Sequence, residues 1–159
     1  MPEWNALHPV VVHFPIALLV VAPLFMLIGL RGTRSARTYA ICALIMMALG
    51  TIGAWVAVET GEADAPTLVL SEVQKTLLAE HQELGEATRN AFTALTVLYA
   101  ALLLGPGVLG RRPSRRSGVI LGVVFLVIYA ASLVLVVRTG DVGGRLVHRS
   151  GEHVHRTTG

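Results

Sequence analysis

Two histidines, His8 and His13, stand at the start of a long apolar run in the segment LHPVVVHFPIALLV. An imidazole binds haem iron and other transition metals through a ring nitrogen, and ionisable side chains within membrane segments commonly mark functional sites. The alternative is structural, because a hydrogen bond to a carbonyl or carboxylate is enough to offset the desolvation of His13. The pair therefore predicts either ligands for a cofactor or metal, or polar contacts between helices.

Other residues of these chemical types follow later in the chain. Glu62, like Glu59, ends the second apolar run and is a candidate metal ligand or a partner for an imidazole N–H; a solvated acidic helix end is the alternative. On a helix, Gly85 lies one turn from His81. The missing side chain at Gly85 could let a flat macrocycle approach the backbone beside His81, and the alternative is that Gly85 simply eases helix packing. The C-terminal tail adds two candidate metal ligands, His148 and His153, with a flexible solvated tail as the alternative, and His155 could be a solvated tail residue.

The elements that must position these residues are membrane helices. Hydrophobic residues make up 53% of the chain and charged residues only 14%, which is typical of a membrane protein. Each apolar segment approaches the roughly 20 residues that an α-helix needs to cross a bilayer. The sequence predicts an all-α, integral membrane four-helix bundle in a single domain, with spans at residues 9–30, 39–58, 91–110 and 118–137.

The polar segments between the spans carry their own patterns. Apolar residues recur at helical spacing in the middle loop and Ser71 is a suitable N-cap, so a surface helix over residues 71–90 is expected to run into the third span. After the fourth span, the pair Gly143 and Gly144 predicts a helix break and a flexible tail. Glu3 is the only charged side chain before the first apolar run, which favours a permanent span over a cleaved signal peptide.

Charge is distributed unequally over the polar segments. The short loops RGTRSART and RRPSRR contain seven arginines and no acid, and short arginine-rich loops stay in the cytoplasm. All ten acids and the other six basic residues then lie on the outer side, which gives +7 inside and −4 outside. The pattern predicts a bacterial inner-membrane protein with both termini and all six histidines on the periplasmic side, and it argues against nucleic-acid binding.

Several kinds of site are excluded by the motifs. Cys42 is the only cysteine, so there is no disulfide framework, no C-x-x-C-H sequence for covalent haem and no thiolate cluster. No hydrolase or transferase motif occurs and no catalytic residue is assigned. A cofactor must be held by His, Asp, Glu or the main chain.

Four segments, LHPVVVHFPIAL, TGEA, EHQELG and GGRLV, resemble the bacterial transmembrane family called domain of unknown function 2231. The resemblance covers essentially the whole chain. It implies four membrane spans, a similarity to diheme b-type membrane cytochromes, and a role in electron transfer, since some members are joined to Rieske-type domains. His8, His13 and His81 match the recurrent histidines. Members tend to end in G-G-x-L-V-Y-x-H-G, and this chain departs from that pattern with His148 at the tyrosine position and Ser150 at the last histidine.

These observations favour a membrane protein that holds one b-type haem near the outer surface, with axial ligands drawn from His13 and His81. Because no histidine lies near the inner face, the electron partner is expected to be a quinone, a periplasmic protein or another membrane subunit. One alternative is a non-haem copper, zinc or iron site built from His8, His13, His81 and Glu62. Another is a structural small subunit of a membrane complex. Glycines on spans two and four serve packing within one bundle or a homodimer.

Overall fold

The computed structural model describes residues 8–32, 34–110, 114–148 and 155–156, with residues 8–11, 67, 147–148 and 155–156 described by their backbone alone. Its four long helices are α1 (His8–Leu30), α2 (Ala36–Asp64), α3 (Glu72–Val108) and α4 (Arg115–His148). Each contains a segment long and apolar enough to cross a membrane. The prediction of an all-α, four-helix membrane protein is confirmed.

The helices form a closed ring in chain order. Each packs on the next, and α4 closes the ring against α1. The core between them is aliphatic toward α1 and α2 and aromatic toward α3 and α4, where Phe92 and Tyr129 meet edge to face with ring centroids 5.2 Å apart. Large apolar side chains such as Val97 and Val127 cover the outside of the bundle, as a lipid-facing surface requires.

Glycines on α2 allow α1 to approach closely. A methyl group at Gly50 would lie 2.8 Å from Cγ of Leu19, and one at Gly53 would lie 3.1 Å from Cβ of Pro15. On α4, Gly122 is similarly filled by the side chain of Leu30, whereas Gly118 faces open space. Gly50, Gly53 and Gly122 therefore serve packing inside one bundle.

Two helices extend well past the bilayer. Helix α3 has 37 residues and α4 has 34, against the roughly 20 that cross the hydrocarbon. Residues 72–89 of α3 contain six charged side chains, so this part lies outside the membrane and residues 91–108 cross it. We call the end of the bundle where α2 ends, α3 begins and α4 ends the extended end.

The start of α3 has the N-cap expected from its sequence. Ser71 Oγ accepts a hydrogen bond from the backbone N–H of Gln74, and the Gln74 side chain accepts one in return from the N–H of Ser71. This capping box satisfies two backbone donors of the first turn. From this cap α3 continues as one helix into its membrane-spanning part.

The predicted break at Gly143 and Gly144 is wrong. Helix α4 continues through both glycines to His148. Each glycine costs a helix about 1 kcal/mol relative to alanine, but Val142 and Leu146, four residues apart on one face, are buried in the extended end. Their packing holds the helix together across the glycine pair.

A short antiparallel ladder lies beyond the helices. After a 3-10 turn at Ala65–Thr67, strand β1 (Leu68–Val69) pairs with strand β2 (His155–Arg156), with Val69 opposite His155. The loop between α2 and α3 and the C-terminal tail therefore meet at the extended end.

Candidate functional site

One histidine, His81, lies between α3 and α4 in the extended end. Its ring atom Nδ1 is 3.0 Å from the backbone carbonyl oxygen of Thr139 on α4. The ring also lies against the backbone of Gly143, where an added Cβ would be 2.9 Å from Cε1 and 3.2 Å from Nδ1. Gly143 therefore provides the space that the imidazole occupies, and Thr139 fixes the orientation of the ring.

A layer of threonine hydroxyls continues this contact toward the membrane. Thr88 Oγ1 lies 2.7 Å from the carbonyl oxygen of Leu84, and Thr139 Oγ1 lies 2.8 Å from that of Leu135. The two hydroxyl oxygens lie 3.1 Å apart. Each hydroxyl has one proton, so one threonine donates to the other, and the accepting hydroxyl donates to the carbonyl of its own helix. This bond fixes the register of α3 against α4, and so the position of His81 over Gly143.

The bond to Thr139 decides the tautomer of His81. A carbonyl oxygen only accepts, so Nδ1 carries the proton and donates it, which leaves the lone pair of the neutral ring on Nε2. His81 lies in the charged part of α3 outside the membrane, and burial lowers its pKa from the usual 6.5, while the hydrogen bond to Thr139 opposes the shift in part. The neutral form, with a basic Nε2, therefore predominates at pH 7.

The two histidines predicted as axial ligands lie at the same end of the bundle but at different depths. His13 is exposed on α1, two residues from Pro15, which packs on Gly53 of α2. His81 is four residues from Gly85, where an added Cβ would lie 3.7 Å from Cγ2 of Val58 on α2. At about 1.5 Å per residue, His81 lies roughly 10 Å farther from the membrane centre than His13.

The remaining candidates are distributed around this end. Gly85 faces α2, where an added Cβ would make an ordinary contact with Val58, so helix packing does not require a glycine at this position. Glu62 is exposed near the end of α2. His8 begins α1 and His148 ends α4, both described by their backbone only, while His153 and Ser150 lie outside the described residues. Among the side chains that the structure describes, no group of three or more His, Cys, Asp or Glu is arranged to hold a metal ion.

Two residues of this site, Thr139 and Gly143, were missed by the sequence analysis. Both occur in the segment RTGDVGG, whose glycine pair predicts a helix break. No sequence pattern marks either residue as a partner of His81, because one acts through its backbone carbonyl and the other through the absence of a Cβ.

Comparison with known proteins gives one match. Residues 5–156 match the family model described as "Predicted membrane protein (DUF2231)". No curated protein and no solved structure matches the chain significantly. With four helices that can span a membrane and a family match over nearly its whole length, this chain belongs to the DUF2231 family of predicted membrane proteins.

Proposed function

We propose that this chain is a b-type haem protein that transfers electrons at the periplasmic face of the bacterial inner membrane, with His81 as an axial ligand. The observation that supports the proposal is the bond from Nδ1 of His81 to the Thr139 carbonyl. Ligating histidines commonly donate their other ring N–H to a carbonyl or carboxylate, which orients the ring and raises the basicity of the ligating nitrogen.

The chemistry of the donor set fits a haem. A b-type haem is held without covalent attachment by one or two imidazoles and apolar surroundings, and its iron supplies one-electron redox chemistry. His81 supplies a neutral imidazole whose lone pair is on Nε2, and Gly143 and Thr139 hold the ring in place. The proposal assigns His81 as one ligand and keeps His13 as the candidate for the second.

The position of the histidines determines where electrons would travel. All six histidines flank the spans on the side opposite the arginine-rich loops, so a haem here would serve one face of the membrane. Its electron partner would be a quinone in that leaflet, a periplasmic protein or another membrane subunit.

A reduced-minus-oxidised visible spectrum of detergent-purified protein, expressed with a haem precursor, tests the proposal. We expect a sharp reduced α-band and about one iron atom per chain. His81→Ala should abolish the band, and His155→Ala, which changes a tail histidine, should retain it. His13→Ala, measured separately, reports on the second ligand.

Three results would contradict the haem assignment. A flat spectrum with stoichiometric copper, zinc or iron would establish the non-haem site instead. Neither haem nor metal in the purified protein would favour a structural subunit in which the Thr139 bond is the whole role of His81. An unchanged spectrum in His81→Ala would assign the haem to other residues.

A further inference from the structure

A cation and an aromatic ring lie in contact where α2 and α3 meet, on a different face of α3 from the contact with α4. The guanidinium carbon of Arg89 lies 4.4 Å from the centre of the Trp55 ring. Trp55 Nε1 donates to Thr93 Oγ1 at 3.1 Å, and that hydroxyl donates to the carbonyl of Arg89 at 2.7 Å. The indole ring is therefore fixed by α3 and forms a platform for the guanidinium.

This cluster lies at the membrane surface of the extended end. Arg89 is the last charged residue of α3 before the uncharged segment 91–108. Trp55 is 42% exposed on α2, one turn before Glu59. Tryptophan and arginine are typical of the depth at which lipid headgroups begin.

The charge of Arg89 is not neutralised by the described part of the protein. Its Nε donates to the amide oxygen of Asn90 at 3.3 Å. Among the described residues, no carboxylate forms an ion pair with Arg89. A guanidinium has five N–H donors in a planar fork that matches the oxygens of a phosphate. Arg89 can therefore donate to an anion that approaches from the headgroup layer.

A shallow apolar depression begins beside this cation, at Asn90, and continues along the outward face of α3. Its lining residues are Asn90, Thr93, Ala94, Val97, Leu98 and Ala101. From Asn90 to Ala101 the depression runs about 16 Å along the helix. That length is close to one leaflet, which is half of the roughly 30 Å hydrocarbon core.

We propose that an anionic phospholipid binds at this position, with its phosphate on Arg89 and one acyl chain in the depression along α3. The charge complementarity and the length of one leaflet select this occupant over an uncharged isoprenoid tail or a second copy of the chain. The site is independent of the proposed haem function, because it lies on a different face of α3 from His81.

Native mass spectrometry of lipid-stripped protein titrated with phosphatidylglycerol or phosphatidylcholine of identical acyl chains tests the proposal. We expect phosphatidylglycerol to bind about ten-fold more tightly, because both lipids carry a phosphate but the choline cation of phosphatidylcholine offsets its charge and repels Arg89. Arg89→Gln should remove this preference. Arg138→Gln, which removes an exposed arginine at the same end of α4, should retain it. Ala94→Phe, which fills the depression, should weaken both lipids.

Other outcomes would overturn the proposal. If Arg89→Gln and Arg138→Gln reduce the preference for phosphatidylglycerol equally, net charge alone attracts the anionic lipid. Lipid preference that survives Arg89→Gln would place the phosphate elsewhere. Displacement of both lipids by a short-chain ubiquinone would assign the depression to a quinone tail, and a dimer that Ala94→Phe separates would assign it to a second copy.

Discussion

At the scale of single residues, neighbouring glycines on α4 have different surroundings. An added Cβ at Gly143 would meet the ring of His81, whereas one at Gly144 would meet nothing within 4 Å. Both positions are helical and adjacent in sequence, so they share the same intrinsic cost. A comparison of substitutions at the two positions therefore isolates the contribution of the imidazole contact to stability.

Exchange of each glycine for alanine should therefore give opposite results. Gly144→Ala should raise the free energy of unfolding by up to about 1 kcal/mol, because alanine is the better helix former. Gly143→Ala should lower it by about 1–3 kcal/mol, since the His81 ring must leave its position and lose the bond to Thr139. Thermal unfolding of both variants in detergent, followed by tryptophan fluorescence, measures the difference. Equal shifts in the two variants would show that the imidazole contact contributes nothing to stability.

Only the α3 side of the site, His81, could be predicted from the sequence. His81 stood out because it lies one helical turn from Gly85 and matches a recurrent histidine of the family. Its partners did not, because a backbone carbonyl and a missing Cβ on another helix leave no pattern in the sequence around His81. Their identification required the packing of α3 on α4, which the threonine pair Thr88 and Thr139 fixes.

At the scale of helices, a proline in α1 is compensated by a side chain from α4. Pro23 has no N–H, so it cannot donate to the carbonyl of Leu19 four residues earlier. Tyr129 donates its hydroxyl to that carbonyl at 2.7 Å, and both residues are fully buried. An unsatisfied carbonyl is costly in a membrane, and neighbouring helices commonly satisfy those that prolines free. This bond also fixes the closure of the ring between α1 and α4.

Removal of the hydroxyl should therefore destabilise the bundle in a way that depends on Pro23. We expect Tyr129→Phe to lower the free energy of unfolding by about 1–3 kcal/mol. In a Pro23→Ala background the restored N–H satisfies Leu19, so the same change should cost about 1 kcal/mol less. Chemical denaturation of the four proteins of this cycle measures the coupling. Additive effects of the two substitutions would mean that the carbonyl of Leu19 does not need the hydrogen bond from Tyr129.

The number and type of the helices could be predicted from the sequence, because uncharged runs of about 20 residues have few alternatives in a membrane protein. The surface helix before the third span was also visible in its cap at Ser71 and its apolar spacing. The extent of α4 was not, because local propensity argues for a break at Gly143, while burial of Val142 and Leu146 depends on a neighbouring helix.

At the scale of the whole molecule, the two ends of the bundle differ in charge. The arginine-rich loops meet at one end, where the guanidinium of Arg115 lies against Gly32. The middle loop and the tail meet at the other end in the ladder of β1 with β2. The two loops contain seven arginines and no acid, which predicts a cytoplasmic location for the first end, and the proposed periplasmic location of His81 depends on this prediction.

Thiol labelling in intact cells tests this orientation. Cys42, the only cysteine, is first replaced by serine, and single cysteines are then introduced at Ser35, between α1 and α2, and at Val69 in β1; both positions are exposed. A membrane-impermeant maleimide should label Val69→Cys in intact cells and Ser35→Cys only after the inner membrane is permeabilised. The reverse pattern would place His81 in the cytoplasm. A haem there would exchange electrons with cytoplasmic donors, and the positive-inside distribution of arginine would have failed as a guide to this bundle.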